Sequence, residues 1–431
     1  MSGAETIAAI ATAPGRAGVA VVRVSGPEAF VIAEKLTGRV PVANRIHFVR
    51  VRSPGAETVI DEAVMLAFVA PHSYTGEDVV EIQCHGGSVT PRRVLECCLE
   101  AGARLARRGE FTERAFLNGK LDYHQSESVL RLIDAKTDRA ADAALAGLAG
   151  RRARELRQFY EQALEISSNL EHALDVDESD LPADFWSARA REIEDLRSAV
   201  GVAVRRAREG KILNQGALVV LAGPPNVGKS SLMNALLREN RAIVSATAGT
   251  TRDVLEEWLD LDGWPIRLAD TAGLRDTEDE IEAEGVRRAE ALIARADVIV
   301  RLTETAPTAE GDVRTIDVWT KADLLPKDVK MPVGVLAVSA KTGQGLEDLR
   351  RSVVRRLEEQ AGEMSSEADE DADVSQLAEV LSAFGEKDAV EDPVLLGNQI
   401  RRVADRLGVL IGAVYSADLL DRLFSRFCVG K

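Results

Sequence analysis

Between Gly223 and Ser230 the chain reads Gly-Pro-Pro-Asn-Val-Gly-Lys-Ser, a glycine-spaced loop closed by a lysine and a hydroxyl. Glycines let successive backbone N–H groups turn toward one anion, and a helix N-terminus behind them adds positive potential. The loop follows the apolar run Leu218–Ala222 and opens the helix-like stretch Ser230–Leu237, the setting in which this spacing binds phosphates. Lys229 is placed to reach the β- and γ-phosphates and the Ser230 hydroxyl to ligate Mg²⁺. Asn226, Val227, Gly228 and Ser231 complete the expected contacts. Further on, Asp270-Thr271-Ala272-Gly273 ends the apolar run Ile266–Ala269. A carboxylate there can face the metal, and Gly273 lets its N–H approach the terminal phosphate. Thr320-Lys321-Ala322-Asp323 follows Ile316–Trp319. The Asp323 carboxylate can accept two hydrogen bonds from the N1–H and 2-amino group of guanine, which adenine does not offer. Ser339-Ala340-Lys341 ends the next apolar run and can supply a backbone N–H to guanine O6.

In this order the four elements resemble those of translation-factor-like GTPases, so GTP is the expected nucleotide. One position departs from that pattern. The guanine motif usually opens with an asparagine that ties the base loop to the phosphate loop, and here it opens with Thr320. Ala248-Gly249-Thr250-Thr251-Arg252-Asp253 resembles the first switch of the bacterial Era/Der/MnmE-like group. That resemblance implies Thr251 as a second Mg²⁺ ligand and a loop Ser245-Ala246-Thr247-Ala248-Gly249-Thr250-Thr251 lying along the nucleotide. It also implies a K⁺ ion beside the phosphates, held by Asn226, Thr250 and the carbonyls of Ser245 and Thr247.

Within that group the chain resembles the tRNA modification GTPases of MnmE (TrmE) type nearly end to end. Asp270–Arg275, followed by acids and Ile281-Glu282-Ala283-Glu284-Gly285, is similar to their second switch. A glutamate matching Glu282 there orients the attacking water; taken alone, Glu282 is a solvated acid favoured at a helix start. Ala13–Val19, Val22–Gly26, Tyr74–Ile82, His85-Gly86-Gly87, Gly109–Thr112 and Phe116–Asp122 match further signatures in order. The ending Phe427-Cys428-Val429-Gly430-Lys431 is similar to their Cys-Ile-Gly-Lys terminus. The resemblance implies an N-terminal domain that binds a reduced folate (5,10-methylene- or 5-formyl-tetrahydrofolate) through Arg23, Glu81, Lys120 and Lys431. It implies a homodimer through those domains and a heterotetramer with an FAD-containing MnmG-type protein. Together they add an aminomethyl-type group to C5 of the wobble uridine of certain tRNAs. Read alone, Arg23 is an exposed strand residue and Lys120 a helix-start cation. Cys428 is either a nucleophile or a packing thiol, and His85 either a turn residue or an acid/base. An Era- or Der-type ribosome-assembly GTPase is the alternative, but those carry a KH domain after the G domain or two G domains in tandem. The KH-like Gly147-Leu148-Ala149-Gly150 is better read as small residues on a packed helix.

The elements that must position these residues divide the chain. Alternating or apolar runs at Val19–Val24, Ala63–Val69 and Asp78–Cys84 predict strands, and Pro27–Leu36 and Val89–Ala101 predict helices. From about Gly119 to Leu213 Ala, Leu, Glu and Arg dominate at helical spacing, with a break at Asp175–Pro182. From Ala217 onward strands and helices alternate, which predicts a mostly parallel sheet. The predicted fold is multidomain α/β: an α+β folate-binding domain over 1–118, an all-α domain over 119–213, an inserted P-loop GTPase domain over 214–362, and the rest of the all-α domain over 363–431.

A chain of 431 residues with 45% hydrophobic and 29% charged residues has room for several cores. The net charge of −16 argues against unaided binding to a polyanion, so tRNA is expected mainly through the complex. Basic residues do cluster from Arg92 to Arg152. Cys84, Cys97, Cys98 and Cys428 fit no zinc or redox spacing, which predicts reduced thiols. No apolar run approaches the roughly 18 residues of a membrane span, and the start has no leader-like pattern, so a cytoplasmic location is expected.

Overall fold

The computed structural model describes residues 5–43, 45–55, 58–239, 256–271, 281–305, 312–326, 329–362, 372–385, 393–412 and 424–430. The chain divides into two compact units. One holds residues 1–130, 147–152 and 414–431, and the other holds 131–146 and 153–413.

The first unit is built on a six-stranded sheet of order β3-β4-β5-β2-β1-β6. Its strands are β1 (Ile7–Ile10), β2 (Val19–Ser25), β3 (Ile46–Arg52), β4 (Val59–Phe68), β5 (Val79–His85) and β6 (Arg104–Leu105). The helices are α1 (Ala29–Thr37), α2 (Thr90–Glu100), α3 (Glu110–Leu117) and α4 (Tyr123–Asp134), which runs past the unit's boundary. Side chains alternate across a strand. Ala8, Val22, Val24, Val80 and Ile82 therefore face α1 and α2, joined by Ile32, Leu36, Val94 and Cys98. On the other side of β1, Ile7 and Ala9 pack with Ala106 and Phe111 of the α3 region. Burial pushes the Cys84 thiol to about 11 and the Cys98 thiol to about 12, and all four cysteines are free thiols.

The second unit contains α5 (Asp138–Leu148, except its last residues), α6 (Arg151–Asp175) from Ala153 onward, and α7 (Phe185–Gln215). The expected break between long helices lies between α6 and α7. A second six-stranded sheet follows, of order β12-β11-β10-β7-β9-β8. Its strands are β7 (Ala217–Ala222), β8 (Glu256–Leu261), β9 (Trp264–Asp270), β10 (Val298–Thr303), β11 (Thr315–Trp319) and β12 (Val335–Ala337). The pairings are parallel apart from the β8–β9 hairpin. Around it stand α8 (Lys229–Glu239), α9 (Ile281–Ala294) and α10 (Leu346–Gly362), and after it α11 (Ala372–Ala383) and α12 (Pro393–Gly412). The multidomain α/β class is as expected.

Helices before and after this sheet share one core. Leu156, Phe159 and Leu170 of α6 and Val200 and Val204 of α7 meet Leu377 and Val380 of α11 and Ile400 and Leu407 of α12. The segment 363–431 is not uniform, however: Phe424–Gly430 fall in the first unit, where Phe424 and Phe427 pack on Phe116, Tyr123 and Leu130. The KH-like glycines also differ from a packed helix. Gly147 lies on α5 against Ser128, but Gly150 sits in the following turn with φ 72°.

Candidate functional site

The phosphate loop is set by the central strand of the second sheet. β7 is buried along its length and ends at Gly223, whose φ of 151° and lack of a side chain let it lie against β10; a Cβ there would stand 2.5 Å from the Leu302 carbonyl oxygen. Asn226 (φ 60°) and Gly228 (φ 101°) also take left-handed conformations, so the loop curls before α8 begins at Lys229. Concave runs of this kind gather N–H groups about an anion. Val227 is buried in the core and anchors the loop from below. The Lys229 ammonium donates to the carbonyls of Gly223 (2.9 Å) and Pro224 (2.8 Å), spanning its own loop. The Ser230 hydroxyl donates to Asp270 Oδ2 at 2.8 Å, and Thr271 Oγ1 donates to the Leu221 carbonyl at 3.0 Å. A hydroxyl and a carboxylate oxygen side by side at the mouth of a phosphate loop form the hard oxygen donor set that suits Mg²⁺.

The segments expected to read the base lie at the ends of β11 and β12, on the same edge of the sheet. Lys321 is left-handed (φ 56°) and leads into a short 3-10 turn, Ala322–Leu324. The Ser339 hydroxyl donates to Asp323 Oδ1 at 2.5 Å. That hydrogen bond holds the Asp323 carboxyl below its ordinary range. The Ser339 N–H is engaged by the Gln344 carbonyl (2.9 Å). Thr320 is buried, and its hydroxyl and N–H both donate to the Thr303 carbonyl, at 3.2 and 2.9 Å. Asp297 plays a structural part: burial raises its carboxyl, and it accepts the Leu218 N–H at 2.6 Å.

The switch residues Ser245–Thr251 and Ala272-Gly273, with Lys431, lie outside the described residues. Glu282 falls on α9, and its side chain lies outside them too.

In the first unit, Arg23 and Glu81 stand opposite each other on β2 and β5. Arg23 Nε and Nη2 reach Glu81 Oε1 at 2.9 and 2.8 Å, and both side chains are mostly buried. The guanidinium lies over the rings of Tyr74 (5.4 Å) and Phe111 (5.6 Å). Its Nη1 is 3.5 Å from the Gly430 carbonyl oxygen, so the end of the chain reaches this pair. Gly430 (φ 103°) is pressed against β1, where a Cβ would stand 2.2 Å from the Ile10 carbonyl oxygen. Arg108 fixes the same segment by donating to the Phe427 carbonyl at 2.8 Å and bridging to Val429. Lys120 is in the turn before α4, not in a helix, and donates to the Pro71 carbonyl at 3.0 Å. Cys428 is exposed, with its carbonyl 3.4 Å from the Gly109 N–H. His85 ends β5, and its Nδ1 lies 2.8 Å from Asp61 Oδ1.

Glu110 and Glu77, from two of the matched N-terminal signatures, anchor an ion network. Glu110 is held by Arg104 (2.7 Å), Arg114 (3.2 Å) and the Arg107 N–H (2.7 Å). Burial raises its carboxyl, but these partners outweigh that and bring it to about 2. Arg114 continues to Glu77 (2.9 Å), which accepts from Ser25 (2.7 Å). Sequence spacing gave no sign that Tyr74 and Phe111 floor the Arg23 site, because they come from distant segments.

Comparison with known proteins follows the same division. A family model described as the GTP-binding protein TrmE N-terminus matches residues 6–120, and one described as the MnmE helical domain matches 124–428, across the second sheet. The curated tRNA modification GTPase MnmE of Bordetella petrii is 41% identical over 448 residues, covering 99% of this chain and 98% of that one. The relative of the same name from Symbiobacterium thermophilum is 41% identical and covers both chains completely. That from Pseudomonas aeruginosa is 40% identical and covers 99% of each. Among the described residues no helix is long and apolar enough to cross a membrane.

Proposed function

The chain belongs to the tRNA modification GTPase MnmE family, and from that premise we propose a potassium-dependent GTP hydrolase working with an FAD-containing MnmG-type partner. With that partner it adds an aminomethyl-type group, its one-carbon unit drawn from reduced folate, to C5 of the wobble uridine of certain tRNAs. The observation that carries this reading is the pairing in one chain of two sites. One is a guanine-type P-loop site with Ser230 on Asp270 and Ser339 on Asp323; the other is the Arg23–Glu81 pair with the chain's end beside it. An Era- or Der-type switch would have no use for the second.

In this reading 1–118 is the folate-binding and dimerisation domain. The helical domain is 119–213 with 363–431, whose last residues, Phe424–Gly430, belong to the first unit, and the GTPase domain over 214–362 is inserted in it. The single helical core on both sides of the sheet supports insertion. Phosphates are bound by Asn226–Ser231 and by Ser245–Thr251, and the terminal phosphate by Asp270–Gly273. Guanine is bound by Lys321, Asp323 and Ser339–Lys341. Mg²⁺ is held by Ser230 and Thr251, and K⁺ by Asn226, Ser245, Thr247 and Thr250; when bound they neutralise charge between the phosphates. Glu282 orients the attacking water. Folate is held by Arg23, Glu81, Lys120 and Lys431: a carboxylate accepts from the pterin's donors, and cations suit its glutamate tail. The active species is a homodimer in a heterotetramer with the partner. It meets tRNA mainly as that complex, in the cytoplasm.

Nucleoside analysis of tRNA from cells with and without the gene tests the whole reading, and the expected result is loss of the C5 substituent at the wobble uridine. Unchanged wobble nucleosides would return the protein to the ribosome-assembly class.

Arg23→Ala and Gly430→Ala should each weaken 5-formyltetrahydrofolate binding at least about tenfold, the scale of one charged hydrogen bond. GTP affinity should stay at the parent value. Gly430→Ala acts by driving a methyl into the Ile10 carbonyl and displacing the chain's end. Calorimetry giving parental folate affinity for both variants would remove this site.

A further inference from the structure

The base loop of this chain opens with Thr320 where an asparagine is usual, and its ties converge on one short segment. Thr320 spends both its hydroxyl and its N–H on the Thr303 carbonyl, so the first position of the motif is bound to the end of β10. The next residue along, Glu304, receives two further ties. Its carbonyl accepts the Trp319 indole N–H at 3.0 Å, and its carboxylate meets the Lys321 ammonium at 2.5 Å. Lys321 is itself in a left-handed conformation that fixes where Ala322–Leu324 turns, and that turn carries Asp323.

We propose that Glu304 is a positioning residue for guanine recognition: by holding Lys321 it sets the turn that presents Asp323, replacing the tie an asparagine at position 320 makes to the phosphate loop. This rests on Asp323 being the base-reading residue. The Glu304–Lys321 pair is half exposed, so its loss has the modest effect of a surface ion pair, and reversing the charge at position 304 has a larger one.

The test is the affinity of the full chain for a fluorescent GDP analogue, with steady-state GTP hydrolysis and thermal unfolding alongside. Glu304→Ala should weaken binding about two- to fivefold. Glu304→Lys should weaken it further, about tenfold, by setting two ammonium groups together. Both should raise KM while kcat and the unfolding temperature stay at the parent values. Adding Thr320→Asn to Glu304→Ala should restore affinity, because a carboxamide can reach the phosphate loop again. Parental affinity in both Glu304 variants would overturn the proposal. So would a fall in kcat and unfolding temperature matching the fall in affinity, which would make Glu304 merely structural. Asp323→Asn serves as the control: if it binds GDP as the parent does, the base-reading assignment fails, whereas a flat response at Glu304 with a responsive Asp323 removes only the tie.

Discussion

Asp323→Asn should lower GTP affinity by about 10²- to 10⁴-fold and raise affinity for xanthosine triphosphate correspondingly. The Asp323 carboxylate accepts; guanine presents two donors, N1–H and the 2-amino group. Hydrogen bonds to a charged group contribute about 1.5–3 kcal/mol each, and a mismatched buried pair costs more than a missing one. A carboxamide turns one acceptor into a donor, which opposes guanine and suits the carbonyl that xanthine carries at that position. The surroundings favour the exchange. Ser339 donates to Asp323 Oδ1 and would donate equally to an asparagine oxygen, so the loop should keep its shape. Because that hydroxyl holds the Asp323 carboxyl low, guanine binding should also persist as pH falls into the ordinary carboxylate range. Competition between GDP and xanthosine diphosphate for the variant is the measurement. Parental GTP affinity would show that another residue reads the base.

The glycine-spaced loop was legible because its geometry is local. A glycine-spaced loop between a buried strand and a helix needs only contiguous residues, and β7, Gly223–Gly228 and α8 stand where the pattern of residues 218–237 puts them. The sheet followed from alternation of runs, since β7 is buried on both faces and its partners flank it in parallel. What was not legible is tertiary. β1 and β6 are too short to show a period: β1 exists because Ile7–Ile10 pair with Val22–Ser25 of β2, and β6 because Arg104–Leu105 pair with Ile7–Ala8. The return of Phe424–Gly430 to the first unit depends on Phe116 and Tyr123 lying beneath it and on Gly430 fitting against Ile10. Nothing in helical periodicity at the end of the chain foretells that. Likewise Glu304 belongs to no motif: it lies just past a strand end, and its part appears only when Trp319 and Lys321 are seen to converge on it.

Hydrolysis of GTP should be at least about a thousandfold slower in sodium than in potassium at equal ionic strength, and Asn226→Ala should abolish that difference. Breaking the terminal phosphate bond leaves extra negative charge between the β- and γ-phosphates. Many GTPases neutralise it with an inserted arginine that raises the rate about 10³- to 10⁵-fold, and a cation in the same place has the same task. In the proposed reading Lys229, now on the loop's own carbonyls, and Ser230, on Asp270, are committed to the phosphates and to Mg²⁺. Asn226 is different: it takes φ 60° within the loop, and in the proposed reading its carboxamide oxygen is the ligand. Oxygen donors suit a hard monovalent ion. Sodium, being smaller, leaves such a set of ligands too far apart to close around it. Glu282→Ala should lose hydrolysis by a comparable factor while GTP affinity stays within about twofold, because a residue that orients water acts on the transition state and not on the bound nucleotide. Single-turnover rates in the two salts, for the parent and both variants, measure all of this. Equal parental rates would remove the potassium site and leave a switch GTPase that takes its positive charge from a partner. A Glu282→Ala variant that hydrolyses at the parental rate would move the water-orienting role elsewhere on the second switch.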